Sequence, residues 1–263
     1  MSVTKEEVMR LKGLGFLRNR DTDCFSGRVV VAGGVYTAED LKHIAACAEL
    51  FGSGKVCFTS RLAAEIVGIP ADKVDGAIAY LAERGLAFGG TGARVRPVTA
   101  CKGTTCTFGI MDTQALALAL HERFYLGMHD VALPHKLKLG VGGCPNSCMK
   151  PSLNDIGIEA RFLHNEETNK IDRVWRVTVG GTWGKTRRDG TLLSFPVYPD
   201  KVMDTVEAIL LWFRENAYRS ERLGKAIDRL GMASLEAGIL DGSLLARREE
   251  ILAAPIKERP AEG

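Results

Sequence analysis

Gly143-Cys144-Pro145-Asn146-Ser147-Cys148, together with the earlier stretch Cys101-Lys102-Gly103-Thr104-Thr105-Cys106, decides how this chain is read. Two cysteines separated by three or four residues can turn toward one centre only if the chain between them bends tightly. Lys-Gly-Thr-Thr and Pro-Asn-Ser are turn-forming residues. Structural zinc favours gaps of two residues, and neither gap has two. A four-thiolate iron–sulfur cluster is larger and suits the wider spacing. Spacing therefore favours a cluster, with a four-cysteine zinc module as the alternative.

The other three cysteines, Cys24, Cys47 and Cys57, stand alone in ordinary surroundings and are expected to be buried structural thiols. Seven cysteines are an odd number, which argues against a disulfide framework. With 263 residues, 46% of them apolar and 25% charged, and with no apolar run of membrane-spanning length, the chain reads as globular. The first residues, Met1-Ser2-Val3-Thr4-Lys5-Glu6-Glu7, lack the basic, apolar and small-residue order of a secretory signal, so a cytoplasmic location is expected. A net charge of +3 is too balanced for a nucleic-acid binder, and any anion site must be a local cluster.

Working outward, Thr4 and Glu7 have capping-box spacing before a helix over 5–14, and residues 15–24 read as a polar loop. A strand is expected over 28–32, ended by Gly33-Gly34, then a helix from Ala38 to Phe51 capped by Thr37 and Asp40. Next come a strand at 56–59, helices at 62–67 and 72–84, and Gly85 as a C-terminal stop. After the first cysteine pair, Asp112 caps a helix running to about Leu126. Strands follow at 137–141, 156–160 and 175–179. Helices return from Pro199, and a charged tail from Arg247 reads as frayed or loosely docked. The glycine clusters complete neither a dinucleotide nor a phosphate-loop motif. His121-Glu122 lacks the second histidine of a zinc hydrolase and is expected on a solvated helix face.

The run from Gly143 to Cys148, followed by Asp155-Ile156-Gly157-Ile158, is similar to the signature of the nitrite and sulfite reductase family, whose members hold a [4Fe–4S] cluster beside sirohaem. Gly33-Gly34, Thr59-Ser60-Arg61 and Gly68-Ile69 resemble that family's ferredoxin-like half-domain. Pro134-His135-Lys136-Leu137-Lys138 resembles its Pro-x-Lys-x-Lys strand, and Glu221-Arg222-Leu223 with Asp228-Arg229-Leu230-Gly231 resembles its helical C-terminus. The resemblance covers about residues 25–235. The first pair has four intervening residues where larger members have five, and Gly142 stands where the signature prefers Ser, Thr or Val; neither departure removes a ligand. The chain resembles most the small, single-repeat, assimilatory-type sulfite reductases.

The resemblance implies an α+β fold. An N-terminal helix and loop occupy 1–24, a ferredoxin-like half-domain 25–90, an α/β sirohaem and iron–sulfur reductase domain with C-terminal helices 91–235, and a tail 236–263. It implies that Cys101, Cys106, Cys144 and Cys148 hold the cluster, with Cys148 also bridging to the sirohaem iron. It further implies that Arg61, Lys136 and Lys138, with Arg28 as a fourth candidate, face the substrate anion. Sirohaem carries many carboxylates, so Arg94, Arg96, Lys102, Lys185, Arg187 and Arg188 are candidate partners for it, with Asn146 of the cysteine loop. Taken alone, Lys136 and Lys138 at alternate strand positions would read as one solvated face. The place of Lys138, six residues before Cys144, favours a common site instead.

The expected activity is six-electron reduction of sulfite to sulfide, with nitrite reduction to ammonia as the alternative. A non-catalytic sirohaem or electron-transfer subunit is a further reading. No flavin or nicotinamide motif exists, so an external donor such as ferredoxin or a reductase subunit is expected. In two-repeat members, the lysine strand of one repeat serves the cluster of the other. A single-repeat chain would restore this by pairing with a homologous subunit or as a C2 homodimer.

Overall fold

Apolar residues alternating along short strands, and recurring every three to four residues along the helices, build two separate cores. In the computed structural model of the protein residues 3–260 are described, and the chain divides into two units, Met1–Gly92 and Ala93–Gly263.

The first unit contains α1 (Lys5–Gly13), β1 (Phe16–Arg18), β2 (Cys24–Val30), α2 (Ala38–Phe51), β3 (Lys55–Phe58), β4 (Ala64–Pro70), α3 (Val74–Ala82) and β5 (Ala87–Phe88). Thr4 Oγ1 accepts the Glu7 N–H at 3.2 Å, and Thr37 with Asp40 forms a reciprocal capping box on α2. The sheet is antiparallel in the order β1-β2-β4-β3, with β5 on the free part of β2. Gly27 is required where Phe16 and Phe88 cross the sheet, because a methyl there would lie 2.6 Å from both rings.

Two expectations about secondary structure fail in this unit. Residues 15–24 are not merely a polar loop, since β1 runs through them and buries Phe16. Residues 62–67 are not a helix but the start of β4, the strand clamped between β2 and β3. A short apolar run carries no decisive period of its own, and hydrogen bonding on both sides decides it.

The second unit contains β6 (Thr99–Ala100), α4 (Thr113–Leu120), β7 (Leu139–Gly142), β8 (Ile156–Asn165), β9 (Lys170–Val179), β10 (Thr191–Leu192), α5 (Val202–Asn216), α6 (Leu223–Leu230), α7 (Met232–Leu240), α8 (Ser243–Ala246) and α9 (Arg248–Ala253). The sheet order is β10-β9-β8-β7-β6, with β6, β7 and β8 mutually parallel and β9 and β10 antiparallel. Parallel strands share a direction, so this sheet has one end where strands begin and another where they finish. Helix α5 is buried along nearly its whole length, from Val202 to Arg214.

The C-terminal tail is docked rather than frayed. Leu244 and Ile251 are buried, Arg248 Nε donates to the buried Glu207 at 2.7 Å, and Arg247 Nη1 donates to Glu215 at 2.6 Å. His121 is also not solvated. It opens a π-helical turn, His121–Leu126, that continues α4, and its ring is buried against Tyr125 with centroids 4.7 Å apart. Of the three isolated cysteines only Cys47 is fully buried, and burial pushes its thiol up to about 11; Cys24 is half-buried and Cys57 is exposed on β3.

Candidate functional site

Strands β6 and β7 finish side by side, and each runs directly into a cysteine loop. The Cys101 N–H donates to Val141 O at 3.1 Å, and the Ile110 N–H donates to Gly143 O at 2.8 Å, which ties the two loops together. Asp112 caps α4 by accepting the N–H groups of Gln114 and Ala115. The first side chains of that helix then return to the loop: Thr113 Oγ1 and Gln114 Nε2 donate to Cys101 O at 2.6 and 2.7 Å. Ser147 and Lys150 adopt left-handed conformations, with φ of 53° and 47°, that fold the second loop back on itself.

Cys101, Cys106, Cys144 and Cys148 thereby line one cavity of about 110 Å³, whose remaining walls are Lys102, Gly103, Gly109, Gly142 and Gly143. Glycine is needed because the backbones touch. A methyl on Gly109 would strike Gly103 O, and one on Gly143 would stand 3.3 Å from Cys101 Sγ. Cys101 Sγ accepts the N–H groups of Gly143 at 3.2 Å and Gly103 at 3.4 Å, the kind of contact that tunes the potential of a sulfur-bound cluster. Among the described residues no three such ligands converge on a point able to hold a single ion. The thiols surround a volume, which fits a multi-atom cluster.

Lys136 and Lys138 lie at the other end of the sheet. They precede β7, whereas Cys144 follows it, and at about 3.3 Å per extended residue the two groups stand on the order of 15–20 Å apart within one chain. Leu137 between them and Leu139 after them are fully buried, so the lysines share the opposite face. At this end Asp155, entirely buried, opens the turn into β8. Its Oδ2 accepts the Lys138 N–H at 2.8 Å, and its Oδ1 accepts Arg222 Nη2 at 2.7 Å and Nε at 3.1 Å. Burial pushes the Asp155 carboxyl above the usual carboxylate range, against the pull of Arg222 and of the Lys138 amide.

His135 Nδ1 accepts the Lys136 N–H at 2.7 Å, which leaves the ring proton on Nε2. Burial, and then the charges of Arg222, Lys136, Arg96 and Lys138, push its imidazole down to about 4. With Asp155, six residues from four segments thus meet in one neighbourhood rich in positive charge.

The remaining sequence candidates are dispersed. Arg28 and Arg61 belong to the first unit. Arg28 pairs with Glu65 and donates from Nη1 to Gly90 O at 3.3 Å, and Arg61 sits in the turn between β3 and β4, its N–H donating to Thr59 Oγ1 at 3.3 Å. Arg94 Nη1 lies 3.1 Å from His129 Nε2. Arg188 is a structural clamp, donating to Asp228 Oδ1 at 2.8 Å and to Gly180 O at 3.0 Å. Arg187, Lys185 and Asn146 are exposed, and Lys102 edges the thiol cavity. Thr113, Gln114, His135, Asp155 and Arg222 carry no signal of these roles in the sequence, although the last three lie inside the family-like motifs.

The family model described as nitrite and sulphite reductase 4Fe-4S domain matches residues 91–241, and the nitrite/sulfite reductase ferredoxin-like half domain matches residues 18–84. The chain is 28% identical to nitrite reductase [NAD(P)H] of Bacillus subtilis, over 80% of this chain and 24% of that protein. It is 36% identical to coenzyme F420-dependent sulfite reductase of Methanocaldococcus jannaschii, over 48% and 20%. It is 29% identical to an assimilatory-type sulfite reductase of Nitratidesulfovibrio vulgaris, over 56% and 61%. The chain therefore spans from a fifth to about three fifths of the length of these relatives. Its fold matches dissimilatory sulfite reductase I with a TM-score of 0.71 at 18% identity, over 91% of this chain and 73% of that one. The Mycobacterium tuberculosis NirA protein matches with a TM-score of 0.75 at 20% identity, over 98% and 49%. No helix among the described residues is long and apolar enough to cross a membrane. With its larger part matched by the first of these models, the chain belongs to the nitrite and sulphite reductase 4Fe-4S domain family.

Proposed function

We propose that this protein reduces sulfite to sulfide, with electrons drawn from a separate carrier in the cytoplasm. The observation that supports this best is the single cavity lined by all four paired cysteines, at the finish of the two strands that carry them. Family membership implies a [4Fe–4S] cluster and sirohaem. When bound, they supply a one-electron conduit and a metal that holds the anion. Cys101, Cys106, Cys144 and Cys148 would hold the cluster, and Cys148, the exposed member, would face the sirohaem.

Hydrogen sulfite takes up six electrons and six protons to give hydrosulfide and three waters, so the chain must neutralise oxygen charge and deliver protons. Lys136 and Lys138 carry both capacities, as ammonium groups fixed on one strand face. Arg61 and Arg28 carry over as further candidates on the family resemblance alone. Nitrite needs the same six electrons and the same cations and is the second substrate to assay.

The lysines and the thiols lie at opposite ends of β7, which supports an arrangement in which the lysines of one protomer serve the cofactors bound by a second copy. The test of the reading is an absorption spectrum with iron and sulfide assays on protein made in a sirohaem-producing host, followed by turnover of sulfite and of nitrite with reduced methyl viologen. Iron, sulfide and sirohaem with sulfite turnover support it. Zinc in place of iron sinks it.

A further inference from the structure

We infer that Arg222 is an anion-binding residue of the lysine site, held in place by Asp155 for an oxyanion brought either by the substrate or by a sirohaem carboxylate. The inference rests on the function proposed above. Arg222 immediately precedes α6 and lies 67 residues beyond Asp155 in sequence. Asp155 takes two of the five guanidinium N–H donors, those of Nε and the near side of Nη2. Three donors, two on Nη1 and one on Nη2, have no partner among the described residues.

The direction in which this leaves Arg222 is set by its surroundings. His135 experiences its charge together with those of Lys136, Lys138 and Arg96, so all four cations share one neighbourhood. The same carboxylate that orients Arg222 also holds the backbone of Lys138. A planar fork pinned along one edge by a fully buried carboxylate is pre-organised, and binding an oxyanion costs it little further ordering. Asp155 is accordingly a positioning residue. It fixes a lysine backbone and an arginine side chain in one register.

Arg229 provides the control. It stands on the same helix and pairs with the buried Glu221 at 2.7 Å, a bond of similar form, but it does not bear on His135. Arg222→Lys, Arg222→Gln, Asp155→Asn and Arg229→Lys should be compared as purified holoproteins for melting midpoint, iron and sulfide content, extracted sirohaem per chain, sulfite affinity by calorimetry, and KM against kcat. If the substrate supplies the oxyanion, Arg222→Lys keeps its cluster, and sulfite Kd and KM rise about tenfold or more with kcat within about threefold. If a sirohaem carboxylate supplies it, sirohaem per chain falls by about half or more while iron and sulfide stay constant. Asp155→Asn should shift the same quantity in the same direction. If Arg222→Lys does not accumulate, Arg222→Gln carries the comparison. The inference is overturned if the Arg222 variants match wild type in both quantities, or if Arg229→Lys shows the same losses. If wild type turns over neither anion yet sirohaem content still depends on Arg222, the functional reading fails and the site stands.

Discussion

Replacing His135 by asparagine should make the protein less sensitive to acid. Asparagine keeps an acceptor near the position of Nδ1 for the Lys136 N–H but cannot titrate. Burial and four nearby cations hold the folded-state imidazole down at about 4, against the ordinary 6.5. The unfolded chain therefore binds a proton through a window in which the folded chain does not. The stability contributed by His135 is complete above about pH 6.5 and is lost as pH falls toward 4. The full gap corresponds to at most about 3 kcal/mol. With solvent screening of a half-buried ring, about 1–2 kcal/mol of it should be lost between pH 7.5 and 5.0. At about 2–4 °C per kcal/mol for a chain of this size, the wild-type melting midpoint should fall about 3–6 °C further over that range than the midpoint of His135→Asn. Circular dichroism melts of the two holoproteins in matched buffers read this directly. His121, whose imidazole burial also lowers, is present in both proteins and cancels. Midpoints that fall in parallel, within about 1 °C, would refute the reasoning.

Changing Lys136, Lys138 or Arg61 singly to alanine should slow sulfite reduction by about 10²–10³ at normal cofactor content; unchanged turnover in all three would remove them from the site. Glu207, buried between the half-exposed Arg123 and Arg248, anchors the C-terminal helices, and Glu207→Ala should cost about 1–3 kcal/mol through the lost charge-assisted hydrogen bonds, measured by denaturant unfolding. A Lys136→Ala, Lys138→Ala chain mixed with a Cys148→Ser chain should regain sulfite reduction if the site is shared between protomers. A mixture that stays inactive, or a fully active monomer in sedimentation, would contradict that sharing.

That the four paired cysteines line one cavity was legible because the information is local: thiols, turn residues and glycines lie within two short loops. The surroundings of the two lysines were legible only in part. Lys136 and Lys138 share the segment that leads into β7, but Asp155 and Arg222 reach them through parallel-strand pairing and the start of a C-terminal helix distant in sequence, which leaves no periodic signal. Strand β4 was misread because its apolar residues are compatible with either period until both neighbouring strands are placed. The tail was misread because α8 and α9, four and six residues long, form only by docking Leu244 and Ile251 against the core. His121 looked solvated beside Glu122 and Arg123, yet the π-helical turn rotates it inward.

The central claim is that four thiols on one cavity hold an iron–sulfur cluster linked to sirohaem, and the visible spectrum of Cys148→Ser beside that of Cys57→Ser tests it most directly. Cys148 lines the cavity, whereas Cys57 lies exposed on β3. Cys148→Ser should lose cluster absorption together with the spectral signature of the sirohaem link, because a thiolate ligand is not replaced by a hydroxyl, while Cys57→Ser should keep both. Full sirohaem and cluster absorption in Cys148→Ser would contradict it.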